Sequence, residues 1–279
     1  MHYNILNSEV FLDHLSIEST NPERIAQFYS DNMMMDKISI SKNEWHCIGS
    51  NRLLIFQKGT NKKLSFAAFG CKSQKKLNKI KERVLLKNIE IKNYNSIYLK
   101  KGSFSIYDPD KNKIVFGVPL KRNFKKKGYH APLQHLTLQS VDIKKFINFY
   151  NKKLGFVISD RVVDENGEIT TCFLRSNKQH HSIACFKAQN IGIDHHSYEV
   201  GKWNLIRDWC DHISRNGLTL FWGPGRHGPG NNLFVFFEDC DGNKIELSAE
   251  LELIKNRKYI DWPHESRTLN LWGKSFLRI

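Results

Sequence analysis

Hydrophobic and polar positions alternate along Phe11-Leu12-Asp13-His14-Leu15-Ser16-Ile17, and the alternation returns in Pro132-Leu133-Gln134-His135-Leu136-Thr137-Leu138. A period of two marks a half-buried strand, so each stretch predicts one, with a histidine at the same place. Fourteen residues beyond each histidine stands a Phe-Tyr pair, Phe28-Tyr29 and Phe149-Tyr150, closing a segment of helical period. The stretches also end alike. Asp108-Pro109-Asp110-Lys111-Asn112-Lys113-Ile114-Val115 matches Asp239-Cys240-Asp241-Gly242-Asn243-Lys244-Ile245-Glu246, a turn feeding a last strand. A weaker copy begins at Ile193-Asp194-His195-His196-Ser197-Tyr198 and continues into an amphipathic run, Trp203 to Ser214; its counterpart starts near Leu64-Ser65-Phe66. The chain reads as four βαβββ-like units of an α+β fold. They pair into an N-terminal domain, 1–125, and a C-terminal domain, 126–279, with Lys121 to Gly128 as linker.

Superposing the halves places His14 on His135, Phe66 on His195 and Val115 on Glu246. Only the second half keeps three metal-ligating residue types, and strands of a cupped sheet can bring them together. Two imidazoles and one carboxylate with other positions left open suit non-haem Fe(II) oxygenases. His195 is preferred to His196 because His195-x-Ser197-x-Glu199 keeps the strand phase of His135-x-Thr137-x-Gln139; His196 is then expected on the opposite face. For any one of the 12 histidines a strand-end polar role is the simpler reading, but the joint placement at equivalent repeat positions favours a metal.

Composition adds exclusions. A length of 279 residues with 40% hydrophobic content leaves room for two domains. No run of eighteen apolar residues suggests a membrane span, and the N-terminus lacks a signal-peptide pattern, so a cytoplasmic location is expected. Six cysteines form no C-x-x-C pair, which argues against a thiolate zinc site and against a disulfide framework. The formal charge of +15 comes from lysines scattered along the chain, with no recognised nucleic-acid motif among them. A solvated basic surface is the expectation, without a nucleic-acid partner.

The most specific stretch is Gly223-Pro224-Gly225-Arg226-His227-Gly228-Pro229-Gly230-Asn231-Asn232, followed by Leu233 to Glu246 with its Asp-x-Asp-Gly turn and closing Ile-Glu. With these motifs the chain resembles, over nearly its whole length, the type I extradiol ring-cleavage dioxygenases of the vicinal oxygen chelate superfamily. The resemblance implies two domains of paired βαβββ modules, each a cupped, partly open mixed β-barrel. It implies Fe(II), or Mn(II), on His135, His195 and Glu246, an acid–base histidine at His181 rather than His180, and a second pocket histidine at His227. Phe173, Trp222, Asn232 and Phe236 are the candidate substrate contacts, with Phe234 as a further wall. The implied activity is cleavage of the carbon–carbon bond beside a small aromatic diol by O2, in a homo-oligomer. Trp262-Pro263 and Leu269 to Gly273 resemble a tail that covers the pocket or packs on a neighbour.

Three positions depart from the family pattern. Phe236 replaces a pocket tyrosine, Cys240 replaces a proline, and Trp222 stands where homoprotocatechuate-type members carry an arginine for the substrate carboxylate. The last change points to a neutral or apolar ring substituent. Two rival readings are a binding-only relative resembling the bleomycin-resistance proteins and a glyoxalase-like isomerase using Zn(II) or Ni(II).

Overall fold

The computed structural model describes residues 4–276; residues 1–3 and 277–279, at the outer bounds of the two expected domains, lie outside the described residues. The first sheet is built from β1 (Phe11–Ser19), β2 (Asp36–Ser41), β3 (Glu44–Gly49), β4 (Arg52–Lys58), β5 (Leu64–Gly70), β6 (Lys92–Asn93), β7 (Phe104–Tyr107) and β8 (Lys113–Gly117). The second contains β9 (Leu133–Ser140), β10 (Val157–Val163), β11 (Ile169–Arg175), β12 (Ile183–Lys187), β13 (Gly192–Gly201), β14 (Trp222–Arg226), β15 (Leu233–Glu238), β16 (Lys244–Ala249) and β17 (Ile260–Pro263). Their spatial orders are β2-β3-β4-β1-β5-β8-β7-β6 and, read from the other end, β17-β10-β11-β12-β9-β13-β16-β15-β14. Apart from β17 the two sheets have one topology, two βαβββ units meeting at a central antiparallel pair, as the repeat requires.

Each unit has its crossover helix: α1 (Pro22–Asn32), α2 (Gln74–Leu86), α3 (Ile143–Ile147) and α4 (Trp203–Arg215). Asn21 caps α1 by accepting the Arg24 N–H at 3.1 Å, and Pro22 occupies its first turn, where a missing N–H costs nothing. The helix expected to close at Phe149-Tyr150 instead widens after α3 into a π-turn over Asn148–Leu154. That turn ends at Gly155, whose φ of 88° suits a residue without a Cβ.

Central strands β1 and β9 are almost wholly buried because both faces are covered. In β1, Leu15 and Ile17 join the main core, which extends through both halves and includes Ile206 and Ile213 of α4. The opposite face of the first sheet is filled by Ile48, Leu53, Ile55, Phe66, Tyr98 and Val115 with their neighbours. In the second sheet the corresponding space holds two separate apolar clusters, Trp222, Phe234, Phe236 and Leu269 in one, Val162, Phe173 and Ala184 with Trp262 in the other. Polar side chains lie between them.

The repeated motifs lock the halves together reciprocally. Tyr29 of the first half donates its hydroxyl to Asp239 Oδ2 of the second at 3.0 Å, and Tyr150 of the second donates to Asp108 Oδ2 of the first at 3.1 Å. Ser19 and Arg24 add hydrogen bonds to Asp241. No helix among the described residues is long and apolar enough to cross a membrane.

Candidate metal centre

Strand register assembles the centre. Between β9 and β13, Thr137 faces His195 and His135 faces Ser197; between β13 and β16, Ser197 faces Glu246. The first sheet repeats this arrangement with other residues: Ser16 faces Phe66, and Ala68 faces both His14 and Val115. His14, Phe66 and Val115 therefore occupy the positions of His135, His195 and Glu246, and only the second set offers three ligands. The His14 ring meets Phe66 edge-on at 5.5 Å and its buried Nε2 has no partner among the described residues.

Glu246 Oε2 lies 3.0 Å from His135 Nε2 and 3.5 Å from His195 Nε2, and the two Nε2 atoms are 3.3 Å apart. The outer hydrogen bonds fix which nitrogen faces inward. Asp194 accepts from His195 Nδ1 at 2.6 Å. Gln134 commits its amide nitrogen to Glu199 at 2.6 Å, which turns its oxygen to His135 Nδ1 at 3.2 Å. Each ring thus presents Nε2 as the ligating atom. The Thr137 hydroxyl, 3.0 Å from His195 Nε2, is the neutral donor within reach. Two imidazole nitrogens and a carboxylate this close repel unless protons or a cation sit among them, and a divalent cation fits this donor set.

Burial by itself would raise the Glu246 pKa, but His135, His227 and His195 around it hold the carboxyl well below its usual range. Burial lowers the pKa of His195 against the opposing bond to Asp194. The same cause, with His135 and His180 adding positive charge, puts His181 well below the ordinary imidazole value. Neutral rings and an ionised carboxyl are the forms that ligate a metal.

Above the three ligands is a cavity of about 420 Å³ of atom-free space, its open mouth included. Phe173, Trp222 and Phe236 line it as expected, together with His181 and His227. Trp222 stacks on Phe236 at 5.1 Å, and Phe236 meets His195 edge-on at 5.2 Å. Among the described residues no lysine or arginine is in the lining. His227 donates Nδ1–H to the Leu269 carbonyl at 2.5 Å, leaving Nε2 3.6 Å from Glu246 Oε1. His181 rather than His180 reaches the cavity, and His196 points to the opposite face, 3.1 Å from the Tyr29 hydroxyl.

Two expectations need correcting. Asn232 does not line the cavity: it is fully buried behind Glu246 and donates to Glu246 Oε1 at 3.1 Å and to Ser248 Oγ at 2.9 Å, so it orients the carboxylate. Phe234 stacks on His227 at 3.9 Å and supports that ring from outside the lining. Cys240 lies exposed on the turn that meets Arg24 of the first half, away from the site. Sequence reasoning missed Thr137, Phe186 and Pro229 in the lining, whereas Leu269, in the tail expected to cover the pocket or pack on a neighbour, lines it. Thr137, two residues from His135 on the same strand face, could have been found by phase. Leu269 was reached only through the family resemblance, because the path of the C-terminal segment carries no periodic signal.

Residues 133–247 match the model of the Glyoxalase/Bleomycin resistance protein/Dioxygenase superfamily. That match lies wholly within the C-terminal half. Metapyrocatechase 2 of Cupriavidus necator is 30% identical over 122 residues, 44% of this chain and 37% of that protein. The match thus spans little more than a third of the curated relative's length. A probable lactoylglutathione lyase of Synechocystis is 28% identical over 121 residues, 41% of this chain and 92% of that protein. Homoprotocatechuate 2,3-dioxygenase from Arthrobacter globiformis has the same fold: TM-score 0.82 at 17% identity, covering 97% of this chain and 89% of that one. The superfamily match thus falls on the half that holds the three ligands, and the likeness of fold extends over both halves.

Proposed function

We propose that the protein is an extradiol-type dioxygenase, using Fe(II) held by His135, His195 and Glu246 to cleave a catechol-type diol beside its hydroxyl-bearing carbons with O2. The observation that carries this reading is the convergence of two inward Nε2 atoms and one carboxylate oxygen beneath an aromatic-walled cavity. The metapyrocatechase likeness supports the same chemistry. When bound, the ion would lower the proton affinity of a vicinal diol and hold it beside O2, and both oxygen atoms enter a ring-opened semialdehyde or keto acid.

The chain's own residues do the rest. Trp222, Phe173 and Phe236 enclose the aromatic ring and exclude water. His181 takes a hydroxyl proton at Nε2, and His227, fixed by the Leu269 carbonyl, turns Nε2 to the reacting side. A lining without lysine or arginine among the described residues favours a diol bearing a neutral or apolar substituent over one bearing a carboxylate. Fe(II) is preferred to Mn(II) because a set of two histidines and one carboxylate suits Fe(II) oxygenases. The resemblance adds the expectation of a homo-oligomer, which sedimentation of the purified chain measures.

The lyase likeness favours a second reading, metal-dependent isomerisation. It is the weaker one because Phe66 and Val115 leave the first half without a ligand set to contribute. Oxygen uptake by anaerobically Fe(II)-loaded protein against a panel of catechols decides between the two, with Glu246→Ala as control. Uptake with a coloured ring-opened product, lost in the variant, is the expected outcome. Stoichiometric iron without uptake, together with turnover of a glutathione hemithioacetal, would replace the proposal by the isomerase.

A further inference from the structure

Behind His181 runs a second hydrogen-bonded chain that ends on a buried carboxylate. His181 Nδ1 lies 2.9 Å from His180 Nδ1, and His180 Nε2 lies 2.9 Å from Asp160 Oδ2. Among the described residues every other hydrogen bond of the Asp160 carboxylate is with a donor. Arg257 Nη1 and the Ile260 N–H reach Oδ1, both at 2.8 Å, and Arg257 Nη2 and Trp262 Nε1 reach Oδ2 at 3.2 and 3.1 Å. Arg257 is itself anchored on Glu252. A carboxylate so surrounded only accepts, so His180 must carry its proton on Nε2. With Arg257 beside the pair a second proton on His180 is disfavoured, and its Nδ1 is left as a lone pair. The 2.9 Å approach of the two Nδ1 atoms then needs a proton, which only His181 can supply.

We propose that Asp160 and His180 are positioning residues that fix His181 as its Nδ1–H tautomer, leaving Nε2 as the bare nitrogen that faces the cavity. Resting on the dioxygenase reading for its purpose, this assigns the adjacent histidines unequal tasks. His181 meets the diol hydroxyl, and a proton taken at Nε2 leaves the Nδ1–H bond to His180 intact. Without an acceptor at His180 the ring can adopt the other tautomer or swing, and a misassigned tautomer disables a catalytic base even when its position is unchanged. Gly230 belongs to the same design, since a Cβ there would meet His180 Nδ1 at 3.0 Å in a backbone conformation of φ +78°.

Two-bond nitrogen–proton spectra of the 15N-labelled full chain, loaded with Zn(II) as a diamagnetic ion, read the tautomer directly, with H181Q to assign the resonance. A protonated Nδ1 and an unprotonated Nε2 on His181 are expected; the reverse pattern overturns the proposal whatever the activity. In the Fe(II)-loaded enzyme, H180F should lower kcat by about ten- to hundredfold with KM for catechol kept within about twofold. H180N keeps a carbonyl acceptor toward His181 and should recover kcat to within about threefold of the parent. Equal losses in both variants, or a change confined to KM, would also overturn it. If the unsubstituted enzyme cleaves no catechol, the dioxygenase reading fails and the spectrum alone decides the tautomer.

Discussion

Asp108 should be replaceable by asparagine with a gain in stability that grows as pH rises. Its side chain is buried at the turn before β8, where it accepts the N–H groups of Asp110 and Asn112, the Asn112 amide and the Tyr150 hydroxyl. None of these donors is a cation, and burial outweighs them, raising the pKa from 3.8 to about 6. The folded state therefore binds this proton more tightly than the unfolded chain. Folding takes up a proton between those two values, and stability falls as pH rises through the window. The shift corresponds to a cost of about 3 kcal/mol at about pH 8 and about half that at about pH 5. Asparagine carries no charge and keeps an acceptor for the two turn N–H groups, while the Tyr150 hydroxyl and the Asn112 amide can each reverse to meet its amide nitrogen. The expected gain is about 1–3 kcal/mol at about pH 8 and clearly less at about pH 5, read from urea midpoints at unchanged slope. A variant less stable than the parent at the higher pH, or a gain equal at both, would refute the reasoning.

Asn232→Leu removes the donor behind Glu246 while keeping volume, and should weaken Mn(II) binding, followed by electron paramagnetic resonance, by about 10–100-fold; unchanged affinity in a folded variant counts against Asn232 as the carboxylate's anchor. Trp222→Arg places a cation in the cavity wall and should lower KM for a carboxylate-bearing catechol relative to catechol by about tenfold or more. No change in that ratio would mean that the substituent does not lie against Trp222. Tyr29→Phe breaks the bond to Asp239 and should cost about 1–3 kcal/mol in urea unfolding, and an unmoved midpoint would deny the inter-half contact a role in stability.

The sequence was legible where periodicity and repetition spoke together. His14 and His135, Phe66 and His195, and Val115 and Glu246 could be paired because strand phase is rigid: a slip of one residue would turn every side chain to the other face. The three ligands followed from that phase. Asn232 was misassigned because a motif gives position along the chain and not depth, and its amide faces the carboxylate rather than the cavity. Leu269 and Trp262 were expected over the pocket from the family resemblance alone, for another reason. β17 adds to the sheet beside β10, and Trp262 reaches Asp160 across about a hundred residues of sequence separation, which no local pattern reports.

The duplication also explains why a half without ligands persists in the structure. The hairpin of β15 and β16 carries Phe236 at the cavity wall and Glu246 among the ligands, and its turn is Asp239 to Asn243. That turn is held from outside by Tyr29, Ser19 and Arg24, all from the first half. The first sheet fills its own cup with apolar side chains, and α1 with the end of β1 braces the strand pair on which the centre depends. In the other direction Tyr150 braces Asp108, a turn with no ligand beyond it. One ancestral contact, used twice, is thus structural in one direction and positions the metal centre in the other. The buried charge at Asp108 is what the symmetric contact leaves behind where no site needs it.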